Sequence, residues 1–245
     1  MSPGDRQLHR QLVAGLEDIP DEVMTDVAAR ARAHGLRPRL TRLTRLTVTF
    51  GDPGELQEVL NKHGDLVRRY DLLALEPTSE RALSSACNNK RADIVALQLG
   101  VRMPFRLRPA AVKAATANGV SLEVAYNAAL MDTNARRHFF ANATAVVRAV
   151  GSGRGGGVGA HTYAGLGVGH SVGHSEGGGA GTASGIVISG GSRQAMELRG
   201  PYDAANLATL FGMKDEHARA AMSSRCMALV ARAARNRAAG GGAQS

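Results

Sequence analysis

At 245 residues, the chain is long enough to form one α/β barrel or two small domains. Thirty Lys and Arg residues against twenty-one Asp and Glu residues give a formal net charge of +9, which favours a polyanionic partner over a basic or neutral one. The printed sequence has no run of eighteen apolar residues and no hydrophobic signal core, so we expect a soluble intracellular protein without a membrane segment.

Arginine supplies most of the positive charge, since the lysines are limited to Lys62, Lys90, Lys113 and Lys214. The planar guanidinium group suits bidentate contacts with phosphate. Trp is absent and there are only five Phe and four Tyr residues, which argues against an aromatic platform that stacks the bases of single-stranded RNA. The composition therefore favours recognition of the backbone and shape of a nucleic acid.

Residues 1–40 are predicted to form a poorly defined helical segment. Leu12, Leu16, Val23 and Val27 follow a helical spacing, but no convincing strand lies on either side of them.

Residues 41–150 alternate between predicted strands and predicted helices. The apolar runs predict strands at Leu46–Phe50, Leu72–Leu75, Ile94–Leu99 and Val120–Tyr126. Helices are predicted at Glu55–Lys62, before Asn88, from Pro109 to Asn118 and at Asn134–Val150. Near-continuous apolar strands in repeated βα units imply a parallel sheet covered on both faces or a barrel, and this pattern leaves both open.

Residues 151–185 interrupt the alternation with a glycine tract that also carries His161, His170 and His174. Such a composition cannot bury a core, so we predict a mobile, disordered insertion. His170 and His174 have the spacing of a helical metal pair, but the flanking glycines disfavour the helix, and no metal site is predicted. Cys87 and Cys226 are interpreted as buried thiols, not as a disulfide or a metal pair.

Residues 186–235 are predicted to form the last strand, at Ile186–Ser189, and the C-terminal helices, followed by a disordered tail at 236–245. The small-residue loop after this strand leads to Arg193 and Arg199. A strand, such a loop and a helix N-terminus in succession suit a bound anion, although solvated arginines in a simple βα connection are the alternative.

Capping residues predict the helices of this block. Asp203 is the expected N-cap of a helix that begins at Ala204 and stops at Gly212. A second helix is expected from Asp215 to about Arg235.

Five stretches of the sequence, in the same order, resemble a single family. They are LTRLTVTF (43–50), RRYDLLALEPTSERALSSAC (68–87), ADIVALQL (92–99), MPFRLRPAAVKAATANGVSLEVAYNAALMDTNARRHFF (103–140) and LRGPYDAANLATLFG (198–212). The family they resemble is the barrel-type protein subunit of eukaryotic and archaeal ribonuclease P, often called p-thirty, which eukaryotes share with RNase MRP.

The resemblance implies a TIM-barrel-like parallel barrel, similar to the polymerase-and-histidinol-phosphatase (PHP) barrels. That family begins with a strand, a helix and another strand, so the chain is expected to depart from it before residue 41 and to form a barrel that is incomplete at the N-terminus. The family has only a short connection where the glycine tract lies, which is therefore interpreted as a lineage-specific loop.

The resemblance also implies a non-catalytic RNA-binding subunit of a nuclear and nucleolar ribonucleoprotein, in which RNA carries the catalysis. Its task would be to support maturation of tRNA 5′ ends and, in RNase MRP, processing of rRNA. The implied partners are the RNase P or MRP RNA, pre-tRNA indirectly, and other protein subunits, especially a small one. No cofactor is implied.

Seven arginines at the ends of predicted elements are the candidate RNA ligands. They are Arg42, Arg45, Arg106, Arg136, Arg137, Arg193 and Arg199. For any one of them a solvated surface charge is the plain alternative, but as a set they form a plausible phosphate-facing surface. The fixed Gly-Pro turn that follows Arg199 is expected to place its guanidinium near the start of the next helix.

Two other functions remain open at this point. A metal-dependent phosphoesterase of the PHP type needs clustered His and carboxylate ligands at strand ends, and the candidate carboxylates Glu76 and Glu123 are too scattered to make such a site. No nucleophile with a base is recognisable, so no catalytic residue is predicted. A basic scaffold protein without a single RNA target is the third interpretation.

Overall fold

The computed structural model describes residues 43–152, 185–192 and 194–241. Its centre is a parallel sheet of five strands. The strands are β1 (Arg45–Phe50), β2 (Leu72–Pro77), β3 (Ile94–Ala96), β4 (Ser121–Ala125) and β5 (Ile186–Ser189). The predicted N-terminal helical segment, nearly all of the glycine tract and the last residues of the predicted tail lie outside the described residues.

Helices connect and follow the strands. They are α1 (Pro53–Lys62), α2 (Gly64–Arg68), α3 (Glu80–Asn88), α4 (Pro109–Ala117), α5 (Asn127–Leu130), α6 (Thr133–Ser152), α7 (Pro201–Leu210), α8 (Asp215–Met222) and α9 (Ser224–Gly241), with a 3₁₀ turn at Ala195–Glu197. Within the described residues, no helix has the length and apolar character that a membrane span requires.

The strands stand in the sheet in the order in which they occur in the chain, β1-β2-β3-β4-β5, and every neighbouring pair is parallel. Right-handed crossovers that always advance in one direction place their helices on one face of the sheet. A doubly wound sheet would instead reverse its strand order at a switch point. This order is that of a barrel wall, and the prediction of an α/β fold with a barrel-like parallel sheet is confirmed.

The two faces of the sheet are covered differently. The large apolar core joins Phe50, Leu75, Leu122 and other alternate strand residues to helices α1 to α8. On the opposite face, Ala74, Ile94 and Val187 form a smaller cluster with Leu229. Because Leu229 belongs to α9, the last helix packs on the face that a barrel turns inward.

Local sequence explains where the first helices begin. Asp52 caps α1 by accepting the Gly54 N–H at 2.7 Å, and Glu55 completes the capping box by accepting the N–H of Asp52. Ser79 caps α3 through its hydroxyl, which accepts the Ala82 N–H at 3.1 Å and donates to Gly51 O at 2.6 Å. The second bond ties the start of α3 to the end of β1.

Glycines with positive φ end two of the helices. Gly119 (φ 74°) follows α4, and Gly212 (φ 94°) follows α7, as the sequence predicts. An added Cβ at Gly119 would lie 2.7 Å from Nε of Arg232. Both the positive φ and this close contact therefore disfavour a side chain at Gly119.

The predicted end of β3 and the predicted start of α7 are wrong. Strand β3 ends at Ala96, because the apolar residues Leu97 and Leu99 are buried as part of a loop and not of the sheet. Asp203 is not the N-cap of α7: Pro201 at the first helical position starts the helix earlier and leaves Gly200 as the cap. Asp203 still lies in the first turn, where its charge favours the helix.

The predicted helix from Asp215 to Arg235 is two helices, and the second continues to Gly241, so residues 236–241 of the predicted disordered tail are helical. The chain breaks at Ser223 (φ −131°, ψ −91°), whose hydroxyl donates to Arg219 O at 2.6 Å. The break lets α9 turn towards the inner face of the sheet while α8 stays on the outer face.

The two cysteines differ in burial. Cys87 is buried, as predicted, and burial raises the pKa of its thiol to about 12. Cys226 is only half-buried; burial, together with the charge of Glu123, raises the pKa of its thiol. Neither thiol is paired with the other.

Candidate nucleic-acid interface

The candidate arginines fall at opposite ends of the sheet. Arg106, Arg136 and Arg199 lie in segments that follow the C-terminal ends of β3, β4 and β5, and Arg137 is beside Arg136. Parallel strands bring all of these segments to one end of the sheet. Arg45 lies instead at the N-terminal end of β1. Arg42 and Arg193 lie outside the described residues.

The loop that follows β3 is fastened to helix α6. The side-chain amide of Asn142 donates from Nδ2 to Leu99 O at 2.9 Å and to Val101 O at 2.8 Å. At Gly100 an added Cβ would lie 3.0 Å from Cβ of Ala128, so the loop approaches α5 closely as well. Loop and helix are therefore held as one unit.

This unit carries four arginines, Arg102, Arg106, Arg136 and Arg137, which we call the arginine face. All four are exposed. Arg106 and Arg137 make no hydrogen bond or ion pair with another described residue, and Arg136 uses Nε to donate to Ala129 O at 2.9 Å. Arg102 is not among the seven candidates chosen from the sequence, which does not show that its loop packs on α6.

The start of α6 is already capped by a carboxylate. Oδ1 of Asp132 accepts the N–H groups of Asn134 at 2.7 Å and Ala135 at 2.8 Å. An anion at the arginine face would therefore be bound by guanidinium groups and not by the first amides of the helix.

Arg199 is held by its own loop. Its backbone N–H donates to the hydroxyl of Tyr126 at 3.1 Å, and Nη1 donates to Met196 O at 2.8 Å and Leu198 O at 3.0 Å. The guanidinium therefore binds carbonyl groups just before it in the chain, and its expected position near the start of α7 stays a prediction. The side chain is nevertheless exposed, so it is accessible to a partner.

Arg45 is paired within the protein. Its guanidinium and the carboxylate of Glu123 form a bidentate ion pair, with Nη1–Oε1 at 2.6 Å and Nη2–Oε2 at 2.7 Å. The Glu123 side chain is only 7% exposed, so the pair lies mainly inside the fold. Glu76, the other carboxylate singled out by sequence, accepts a hydrogen bond from the Thr49 hydroxyl at 2.8 Å.

These carboxylates do not form a metal centre. Within residues 43–152, 185–192 and 194–241, no three His, Cys, Asp or Glu side chains are grouped so that they could hold an ion. The donor set that a PHP-type phosphoesterase needs is thus missing from the described part of the sheet.

A buried charge cluster at the N-terminal end of the sheet was missed by sequence reasoning. Asp93, which is fully buried, accepts the Leu73 N–H at 2.9 Å, Nη2 of Arg237 at 2.8 Å and Nη1 of Arg232 at 3.4 Å. Burial, countered in part by Asp93, lowers the pKa of the Arg232 guanidinium. The cluster joins α9 to the start of β3.

Arg232 also binds the backbone at this end. Its Nη atoms donate to the carbonyl oxygens of Lys90 at 3.1 Å, Ala92 at 3.0 Å and Asn118 at 2.9 Å. One side chain therefore fastens α9 to the segments that lead into β3 and β4.

The sequence model of one family, described as RNase P subunit p30, matches residues 9–158 and 179–238, which is most of the chain. The chain belongs to the RNase P subunit p30 family. The family match begins at residue 9, so the expectation that the chain departs from the family before residue 41 is wrong. The unmatched stretch between the two ranges lies within the glycine tract.

Two curated proteins illustrate how this p30-family chain relates to others. Protein GAMETOPHYTE DEFECTIVE 1 of Arabidopsis thaliana is 30% identical over 198 residues, which cover 80% of this chain and 29% of the plant protein. Ribonuclease P protein subunit p30 of Mus musculus is 27% identical over 187 residues, which cover 76% of this chain and 58% of the mouse protein. The chain thus spans less than two thirds of the length of either relative.

The fold of this p30-family chain also matches a solved structure. A chain in a cryo-EM structure of archaeal ribonuclease P with mature tRNA superimposes with a TM-score of 0.56 at 13% sequence identity, over 88% of this chain and 78% of that one. At this identity the match is evidence of a shared fold.

Proposed function

We propose that the protein is a non-catalytic, RNA-binding subunit of the ribonuclease P ribonucleoprotein and supports maturation of tRNA 5′ ends. The observation that carries this proposal is the family match over most of the chain. The basic composition and the missing metal ligand set among the described residues support it over a phosphoesterase.

The arginine face supplies the phosphate contacts in this proposal. Its guanidinium groups are exposed, and those of Arg106 and Arg137 have no partner among the described residues. Arg199 extends the same end of the sheet, and Arg193 stays a candidate from the sequence. The guanidinium of Arg45 is occupied by Glu123, so the proposal assigns it to the fold and not to RNA.

The test compares two double variants of the full chain. Arg106→Ala/Arg137→Ala removes two exposed charges from the arginine face, and Arg148→Ala/Lys214→Ala removes two exposed charges elsewhere. Binding to the RNase P RNA of the same organism is measured by filter binding over a range of KCl concentrations. We expect the first variant to bind about 10- to 100-fold more weakly. The salt slope, which is the steepness with which log affinity falls against log KCl concentration, should decrease by about one to two, since two phosphate contacts are lost.

The matched variant should stay close to wild type in both quantities. If wild type shows no preference for this RNA over an unrelated RNA, the proposed function is refuted. If both double variants lose affinity equally, the arginine face is refuted as the specific contact. Purified protein should cleave neither pre-tRNA nor phosphate esters with Mg²⁺, Mn²⁺ or Zn²⁺, and turnover that survives repurification would favour the phosphoesterase.

Assembly and location extend the proposal. We propose that the chain joins the RNA together with other protein subunits, including a small one, in the nucleus and nucleolus, and that it serves RNase MRP as well. Sequencing the RNA that co-purifies with the tagged chain distinguishes RNase P RNA from MRP RNA, and mass spectrometry of the same material identifies the proteins.

A further inference from the structure

A basic cavity opens at the N-terminal end of the sheet, opposite the arginine face. It lies between the end of α2, the segment that precedes β3, and helix α9. Val67 and Leu73 form its apolar floor. Its polar lining is Arg68, Lys90, Arg91, Asn236 and Arg237.

The lining side chains provide hydrogen-bond donors almost exclusively. Lys90 and Arg91 are exposed and make no ion pair with a described residue. Nδ2 of Asn236 is buried and has no hydrogen-bond partner among the described residues. Because this nitrogen is closed off from solvent, the donors that a ligand entering the cavity would meet are the cationic side chains.

The nearby carboxylates do not neutralise the cavity. Asp93 lies beside it and is shared between Arg232 and Arg237. Asp65 is exposed and is 3.9 Å from Arg68, a separation at which solvent screens most of the attraction. Cations therefore outnumber carboxylates around the opening, and the ligand with complementary charge is an anion with several acceptor oxygens.

We propose that this cavity binds a phosphate group of an RNA backbone, with the exposed side chains of Lys90 and Arg91 as its ligands. The inference rests on the proposed function, since it names a second RNA contact of the same subunit. The arginine face and this cavity lie at opposite ends of the sheet, so the RNA contacts both ends of the protein.

The experiment uses the full chain and three variants. Lys90→Ala/Arg91→Ala removes the two exposed cations of the cavity, and Asn236→Asp replaces the amide by a carboxylate of the same shape. Arg148→Ala/Lys214→Ala is the matched control, since it also removes two exposed cations. Binding to the RNase P RNA of the same organism is measured at several KCl concentrations, with thermal melting of each variant as the folding control.

We expect the cavity double variant to bind the RNA about tenfold more weakly than the control variant, with a salt slope lower by about one. The single substitution Asn236→Asp should lower the binding free energy by at least half as much as the double substitution does, because the new carboxylate repels phosphate. In a second arm, inorganic phosphate at constant ionic strength should compete with RNA for wild type and should have less effect on the cavity double variant.

The outcomes separate the two proposals. Wild type that does not prefer the RNA refutes the proposed function. Wild type that binds the RNA, together with a folded cavity double variant that binds as well as the control variant, refutes the cavity alone. Phosphate that binds wild type without displacing RNA assigns the cavity to a free phosphate compound and also refutes an RNA contact there.

Discussion

Replacing Asp93 with alanine tests how the last helix is held to the sheet. Asp93 is fully buried and accepts hydrogen bonds from the Leu73 N–H, Arg232 and Arg237. The substitution leaves an amide and two guanidinium groups without their shared acceptor. Breaking a buried ion pair from one side is strongly destabilising, because the remaining charge has no partner.

The size of the expected loss of stability follows from the burial of Asp93 and its two arginine partners. Loss of one partner of a buried pair costs about 3–5 kcal/mol. Here the side chains of Arg232 and Arg237 are 16% and 22% exposed, so water can recover part of the loss, and we expect a value near the lower end, about 3 kcal/mol. The free energy of unfolding falls by about 2 kcal/mol per M of urea, so the urea concentration at the unfolding midpoint should fall by about 1.5 M.

Urea unfolding followed by circular dichroism measures this change. Asp71→Ala is the matched control, since Asp71 also precedes a strand and accepts two hydrogen bonds, from Thr44 N–H at 2.7 Å and the Thr44 hydroxyl at 2.9 Å, but is exposed. This control substitution should lower the free energy of unfolding by about 1 kcal/mol or less. Equal losses for the two variants would show that burial of Asp93 does not control the effect, and would refute the reasoning.

Three further predictions concern the fold and its reactivity. Gly119→Ala should destabilise by about 2 kcal/mol or more, because φ is 74° and the new Cβ would lie 2.7 Å from a guanidinium nitrogen; Gly212→Ala, with φ 94° and open space, should lose only about 1 kcal/mol in the same urea experiment. Arg45→Met should destabilise by about 2 kcal/mol by leaving Glu123 unpaired, while the RNA affinity of the folded protein is unchanged; weaker RNA binding at unchanged stability would contradict the structural role. Iodoacetamide at pH 8 should modify Cys87 only after unfolding, because burial raises the pKa of its thiol to about 12, and mass spectrometry of native and urea-treated protein checks this.

Strong local patterns made much of the fold predictable. The β-branched run Ile186–Ser189 coincides with β5, and the stop signals at Gly119 and Gly212 are confirmed by their positive φ. The break at Ser223 was not predictable, because serine does not end a helix by itself. It is set by the packing of α9 on the inner face, which is a tertiary effect.

The candidate site was less predictable for the same reason. Sequence position showed that arginines cluster at element ends, but not which of them has a partner inside the protein. Arg45 and Glu123 are 78 residues apart, and Asp93 and Arg237 are 144 residues apart. No local pattern links residues so far apart, whereas Arg136 and Arg137 could be selected because their position at a helix start is itself local.

The contacts of Arg232 determine when the fold can be completed during synthesis. Its hydrogen bond to Ala92 O spans 140 residues, so the segment leading into β3 has been made long before its partner leaves the ribosome. Contacts this distant in sequence form late and slow the folding of a chain. A chain interrupted at Ser223 would already have five strands, but their inner apolar face would be without Leu229. Transiently exposed apolar surface makes a partly synthesised chain prone to aggregation, so we expect this risk to persist until the last helix has been translated and packed.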